Sequence, residues 1–113
     1  MNKLKVVLDA LEDVNLTDII VYDMRERSPF FEYFIISSGS SSRQLNATMS
    51  HIKDDFAKAG LDHPDVEGKD SDSWILIDAK DIVVNVFTQE SRSYYNLEKM
   101  WADVPTINIE DVK

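Results

Sequence analysis

The apolar positions of this chain change period along its length, and the changes mark its elements. Leu4, Val7, Leu8, Leu11 and Val14 fall at i, i+3, i+4, i+7 and i+10, one face of a helix, and Asn2 stands where a cap belongs. After a turn at Asn15, Thr17 to Asp23 reads as a strand whose apolar run predicts burial on both faces. Pro29 blocks regular pairing in the polar connection that follows. Phe30 to Ser37, aromatic and β-branched, predicts a second strand beside the first. Gly39 permits a sharp turn, and Ser41 with Gln44 forms a capping-box pattern. Leu45, Met49, Ile52, Phe56 and Ala59 then predict the longest helix, which Gly60 ends.

A polar loop runs from Leu61 to Ser73, with a short extended piece near Val66. The apolar runs Trp74 to Asp78 and Ile82 to Thr88 flank Ala79-Lys80-Asp81 and predict a β-hairpin. A helix starting near Ser91 sets Tyr94, Leu97 and Trp101 on one face, with Tyr95 and Lys99 on a neighbouring one. Pro105 ends it, and the alternation from Thr106 to Ile109 suits either a short edge strand or a loose tail. The order helix, strand, strand, helix, strand, strand, helix predicts a single α/β domain over residues 1–105, followed by a C-terminal tail over 106–113. Its mixed sheet has four or five strands and flanking helices. The longest helix makes a right-handed crossover between parallel strands, and the flanking pairs run antiparallel.

Hydrophobic residues make up 43% of the 113 and charged residues 29%, as in a folded chain rather than a disordered one. The absence of cysteine removes disulfides and thiolate zinc sites. No leader opens the sequence and no apolar run nears the ~20 residues that span a bilayer, so a cytoplasmic protein without membrane contact is expected. The net charge of −9, from 12 basic and 21 acidic side chains, repels phosphate backbones. Lys and Arg are scattered, which predicts little direct nucleic-acid contact. The acidity suits a basic protein partner, and it also serves solubility alone.

Candidate chemistry is incomplete wherever it occurs. Gly39-Ser40-Ser41-Ser42-Arg43 lies between a strand and a helix N-terminus, where backbone N–H groups attract anions. It lacks the glycine spacing and lysine of a P-loop. Asp70 with Asp72, and Asp78 with Asp81, offer oxygens to a cation, but these positions lie in or beside turns that favour Asp for backbone reasons. His51 and His63 form no His-x-x-x-His pair and have no Cys partner, and no serine sits in a nucleophile elbow. No catalytic residue, metal or cofactor is expected. The tryptophan- and tyrosine-rich stretch from Trp74 to Trp101 remains. It exceeds what one narrow stripe buries, and its residue types dominate protein interfaces, although core packing accounts for much of it.

Five segments resemble the Iojap family, the ribosomal silencing factors (RsfS). They are Asp23-Met24-Arg25-Glu26-Arg27-Ser28-Pro29-Phe30-Phe31-Glu32-Tyr33-Phe34, Ser38-Gly39-Ser40-Ser41-Ser42-Arg43-Gln44, Val66-Glu67-Gly68, Trp74-Ile75-Leu76-Ile77-Asp78 and Tyr94-Tyr95-Asn96-Leu97-Glu98-Lys99-Met100-Trp101. The resemblance runs from about residue 4 to 105. It implies a nucleotidyltransferase-like scaffold and binding to the large ribosomal subunit through large-subunit ribosomal protein fourteen. It further implies hindered subunit joining, lowered translation when nutrients are scarce, and a homodimer in isolation. Nucleotidyltransferases carry paired acidic residues on the strand after the Gly-Ser turn. Here Trp74-Ile75-Leu76-Ile77-Asp78 ends in one carboxylate, which weakens the alternative of a nucleotide-binding or degenerate nucleotidyltransferase enzyme. Carried onto this chain, the contact surface comprises Trp74, Leu76, Tyr94, Tyr95, Leu97, Lys99 and Trp101. One division of labour has Trp74 and Trp101 bracing the hairpin against the helix while Tyr94, Tyr95 and Lys99 face outward.

Overall fold

The computed structural model describes residues 2–69 and 71–112. The Asn2 side chain accepts the Lys5 N–H and caps α1 (Lys3–Asp13), which buries Leu4, Val7, Leu8 and Leu11 as one face. Asn15, at φ 62°, turns the chain into β1 (Thr17–Asp23). β2 (Tyr33–Gly39) returns antiparallel, with Val21 opposite Ile35 and Tyr22 opposite Phe34. The Ser41 hydroxyl accepts the Gln44 N–H to start α2 (Ser42–Lys58). Gln44 Oε1 reaches back to the Ser40 N–H, one residue earlier than the capping-box pattern implies. β3 (Asp65–Glu67), β4 (Trp74–Asp78) and β5 (Ile82–Thr88) follow. The rest of the described chain forms α3 (Gln89–Tyr95), α4 (Leu97–Met100), β6 (Thr106–Ile107) and α5 (Ile109–Val112).

The strands lie in the order β3-β4-β5-β2-β1-β6, with β2 and β5 parallel and the other pairs antiparallel. The α/β class, the crossover between parallel strands and the flanking antiparallel pairs are as the sequence predicts. The strand count is six rather than four or five, because two short pieces complete the edges. Val66 opposite Ile77 makes β3 a strand, and Val21 opposite Ile107 makes β6 one. Ile107, Ile109 and Val112 pack against the main core, so residues 106–112 belong to the domain's sheet and core rather than forming a separate tail. β2 starts at Tyr33 rather than Phe30. Glu32 and Tyr33 both turn their N–H groups to the Asp81 carbonyl, and Phe30 is left 82% exposed in the preceding loop. β1 buries only Val21 and Tyr22, because its register shifts between Thr17 and Ile20 and Asp18 takes a positive φ.

Strand alternation sorts the side chains into two faces. Val21, Ile35, Ile75, Ile77, Val84 and Val86 face α1 and α2 and join Leu8, Leu11, Leu45, Ile52 and Phe56 in the main core. Tyr22, Phe34, Ile36 and Phe87 form the second face, where Met24 and Val104 join them and Trp74, Leu97 and Trp101 pack as partly buried neighbours. One face thus lies under two long helices, the other under short segments only.

Beside that second face, Arg25 grips Asp23 through Nε at 2.9 Å and Nη2 at 2.8 Å. This bidentate bond holds the Asp23 carboxyl below the usual carboxylate range. A lowered folded-state value favours the fold above the ordinary carboxylate pKa, and the gain is lost as pH falls through the lowered value. Arg25→Met is expected to raise the Asp23 titration midpoint, read by NMR, with little change in stability at neutral pH because the pair faces solvent.

Candidate docking surface

The hairpin places Trp74. Lys80 takes φ 72° at its turn, Ala79 N–H donates to the Ile82 carbonyl, and the Asp78 carboxylate accepts the Lys80 N–H at 2.8 Å. Trp74 then sits opposite Phe87 and Leu76 opposite Asn85. The Trp74 indole N–H donates to Asn85 Oδ1 at 3.0 Å. Asn85 is buried, and its own side-chain N–H reaches the Ile35 carbonyl. Upstream, the Ser71 hydroxyl accepts the Ser73 and Trp74 N–H groups. Gly68, at φ 83°, passes so close that an added Cβ would lie 2.6 Å from the Trp74 carbonyl.

The aromatic segment after β5 differs from the predicted single helix. Asn96 adopts the left-handed conformation at φ 49° and ψ 53°, which ends α3 and starts α4. Asn tolerates that region better than most residues. The break means that Tyr94, Leu97 and Trp101 do not share a helical face, and that Tyr95 and Lys99 do not either. Arg92 holds the two short helices in place. Its Nε donates to Glu98 at 2.9 Å, and Nη1 donates to the Asp18 carbonyl at 2.6 Å and the Ser38 hydroxyl at 2.7 Å. Burial pushes the Tyr22 phenol up, the Glu98 charge adds to this, and Arg92 opposes it.

Two aromatic groups result. Tyr94 meets Tyr95 edge-on at 5.1 Å, Tyr95 lies 4.7 Å from Trp74, and Trp74 stacks on Phe87 at 4.9 Å. At the other end of the face, Phe31, Phe34 and Trp101 follow with centroids 5.8 and 5.3 Å apart. The seven residues singled out in the sequence are all placed on or beside this open face, to different depths. Tyr94 is 81% exposed and Tyr95 47%; Lys99 is exposed too. Trp74, Leu76, Leu97 and Trp101 are half-buried. Trp101 Nε1 is buried without a hydrogen-bond partner among the described residues.

Phe30 and Met100, which is 59% exposed, also stand out in solvent, although the sequence reading did not count them among the contact residues. With Pro29 and Trp101 they line one cleft. Sequence reasoning missed Asn85, whose signal was a lone amide inside the apolar run Ile82 to Phe87, and Arg92, which carries no sequence signal for its three bonds.

The other candidates are engaged in structure. Ser40 is bonded to Gln44 through N–H and hydroxyl, and Asp72 and Glu90 line the cavity beside Gly39, where they oppose a phosphate. Asp81 pairs with Lys3 at 2.7 Å. Asp70 lies outside the described residues. His51 Nε2 stands 3.2 Å from Asp13 and 3.4 Å from Asp55 and bridges α1 to α2. His63 is exposed in its loop. Among the described residues no helix is long and apolar enough to cross a membrane.

Fold and surface together define a small mixed α/β domain with one sheet face under two long helices and an aromatic one under short segments. The sequence profile described as "Ribosomal silencing factor during starvation" matches residues 1–113. The chain belongs to this family, the ribosomal silencing factors. The ribosomal silencing factor RsfS of Bacillus subtilis is 39% identical over 107 residues, 95% of this chain and 91% of that protein. A mouse protein named mitochondrial assembly of ribosomal large subunit protein 1 is 32% identical over 98 residues, 84% of this chain and 43% of that one. A crystal structure of a Chromobacterium violaceum protein superposes with a TM-score of 0.82 at 33% identity, covering 90% of this chain and 88% of that chain.

Proposed function

We propose that this cytoplasmic protein silences ribosomes by occupancy rather than by a reaction. It docks through its open aromatic face on large-subunit ribosomal protein fourteen, and its bulk then blocks the small subunit, lowering translation when nutrients are scarce. Trp74, Leu76, Tyr94, Tyr95, Leu97, Lys99 and Trp101 form or directly support the contact. The observation that carries this reading is the pair of tyrosines held out in solvent on a braced base: a monomer gains nothing from exposing Tyr94, whereas an interface anchor must be exposed. The net charge of −9 suits a basic ribosomal protein, and the large-subunit name of the mouse relative agrees with that location. The same exposed surface suits pairing of free copies as a homodimer.

Sedimentation of purified subunits tests the reading. Saturating protein is expected to leave large and small subunits apart, and normal formation of whole ribosomes would sink the idea. Tyr94→Ala sharpens the test. The ring lies outside the core, so the fold should melt as before, while loss of an anchor costs ~2 kcal/mol of binding, about thirtyfold. Undiminished binding of that variant would remove Tyr94 from the contact.

A further inference from the structure

We propose that the groove between β3 and β4 is a subsite for one basic side chain of the protein partner, arginine before lysine. The inference rests on the docking reading above and assigns part of that face a ligand chemistry. The groove has a volume of about 250 Å³ and is lined by Glu67, Gly68, Trp74 and Leu76. That is below the roughly 300–1,000 Å³ of a small-molecule site and ample for one long side chain.

Its chemistry follows from the pleat. Val66 and Ile77 pair in register and both belong to the helix-covered side, so Glu67 opposite Leu76 lies on the open side. Asp65 opposite Asp78 lies one step further along that side. The Glu67 carboxylate has no hydrogen bond or ion pair among the described residues. Asp65 and Asp78 face each other as like charges, an unfavourable cross-strand pair. Lys80, next to Asp78 but one, is engaged with Asp62 at 3.3 Å instead.

An apolar floor of Trp74 and Leu76 beside the unpaired Glu67 carboxylate excludes most occupants. A phosphate or acidic peptide is repelled. A plain apolar side chain would strip water from Glu67 and give it no partner. A long aliphatic stem ending in a cation satisfies both parts. The stem lies along Leu76, the guanidinium or ammonium stacks on Trp74, and its N–H groups reach Glu67. Arginine is favoured because its planar fork matches a carboxylate bidentately and stacks on an indole. Gly68 keeps this geometry, since a side chain there would collide with the Trp74 backbone.

The experiment measures binding of purified large ribosomal subunits to wild type, Glu67→Gln, Glu67→Lys and Tyr94→Ala over a series of salt concentrations. Glu67 is exposed, so all four proteins are expected to melt alike. Glu67→Gln should weaken binding about tenfold and flatten its salt dependence. Glu67→Lys should weaken it further. Glu67→Gln binding as wild type, while Tyr94→Ala is impaired, would overturn the subsite and leave the docking reading standing. Tighter binding by Glu67→Lys would mean that a phosphate faces the groove, and would overturn the subsite likewise. No binding by wild type would overturn both.

Discussion

Trp101→Ala is expected to lower the unfolding free energy by about 3 kcal/mol or more, the usual range for removing a large aromatic from a packed position. Trp101 stands edge-on to Phe34 at 5.3 Å and closes the second core cluster. No long helix lies behind it to collapse into the space. The indole N–H is buried without a partner among the described residues, so that atom adds cost rather than stability. Trp101→Phe keeps a ring against Phe34 and removes the orphan donor, and should stay within about 1.5 kcal/mol of wild type. Urea denaturation of the two variants checks this. A Trp101→Ala protein as stable as wild type, yet unable to bind, would make Trp101 a contact residue instead of a brace.

Arg92→Ala is expected to cost about 3 kcal/mol. The side chain is only 11% exposed and joins α3 to Glu98 beyond the Asn96 break, to the Asp18 carbonyl and to the buried Ser38 hydroxyl. Its removal leaves Glu98 without its cation and Ser38 without its donor. Arg92→Lys should not restore stability, because one ammonium cannot span three acceptors set around a planar fork. Arg92 also lowers the Tyr22 phenol against the upward push of burial and Glu98, so its loss should raise the Tyr22 titration midpoint further. Ultraviolet titration of the tyrosines reads that shift, and denaturant melts read the stability. An unshifted Tyr22 midpoint with a full loss of stability would place Arg92's role elsewhere than the Glu98 clamp.

The helices α1 and α2 were legible because each repeats one physical rule over several turns: apolar spacing, a side-chain cap and, for α2, a glycine stop. The hairpin of β4 and β5 was legible from two apolar runs around a three-residue break. The short edges were only half legible: an extended piece near Val66 and alternation from Thr106 could be read, but their pairing comes from the neighbouring strands β4 and β1. The aromatic segment misled for a related reason. Its residues suit a helix locally, but Arg92's bonds to Asp18 and Ser38 fix α3 on the sheet, and Asn96 yields at φ 49°. The residues proposed for the contact stood out by type and by family resemblance. Their depths were not, because whether Trp101 or Tyr94 turns inward is decided by that break. Asn85 was unread as the support of Trp74, since an amide in a strand declares no partner until register sets Trp74 one strand away.

The parallel pairing of β2 with β5 also sets an order of assembly. β1 and β2 can pair as soon as they are made, but the strand that belongs beside β2 emerges only after α2, β3 and β4. Closing so long an intervening segment is entropically slow compared with forming a hairpin. Trp74, Asn85, Arg92 and Trp101 all belong to the later part of the chain, so the aromatic face is incomplete while that part is still being synthesised. On the docking reading proposed above, a chain still being made lacks the face with which to dock.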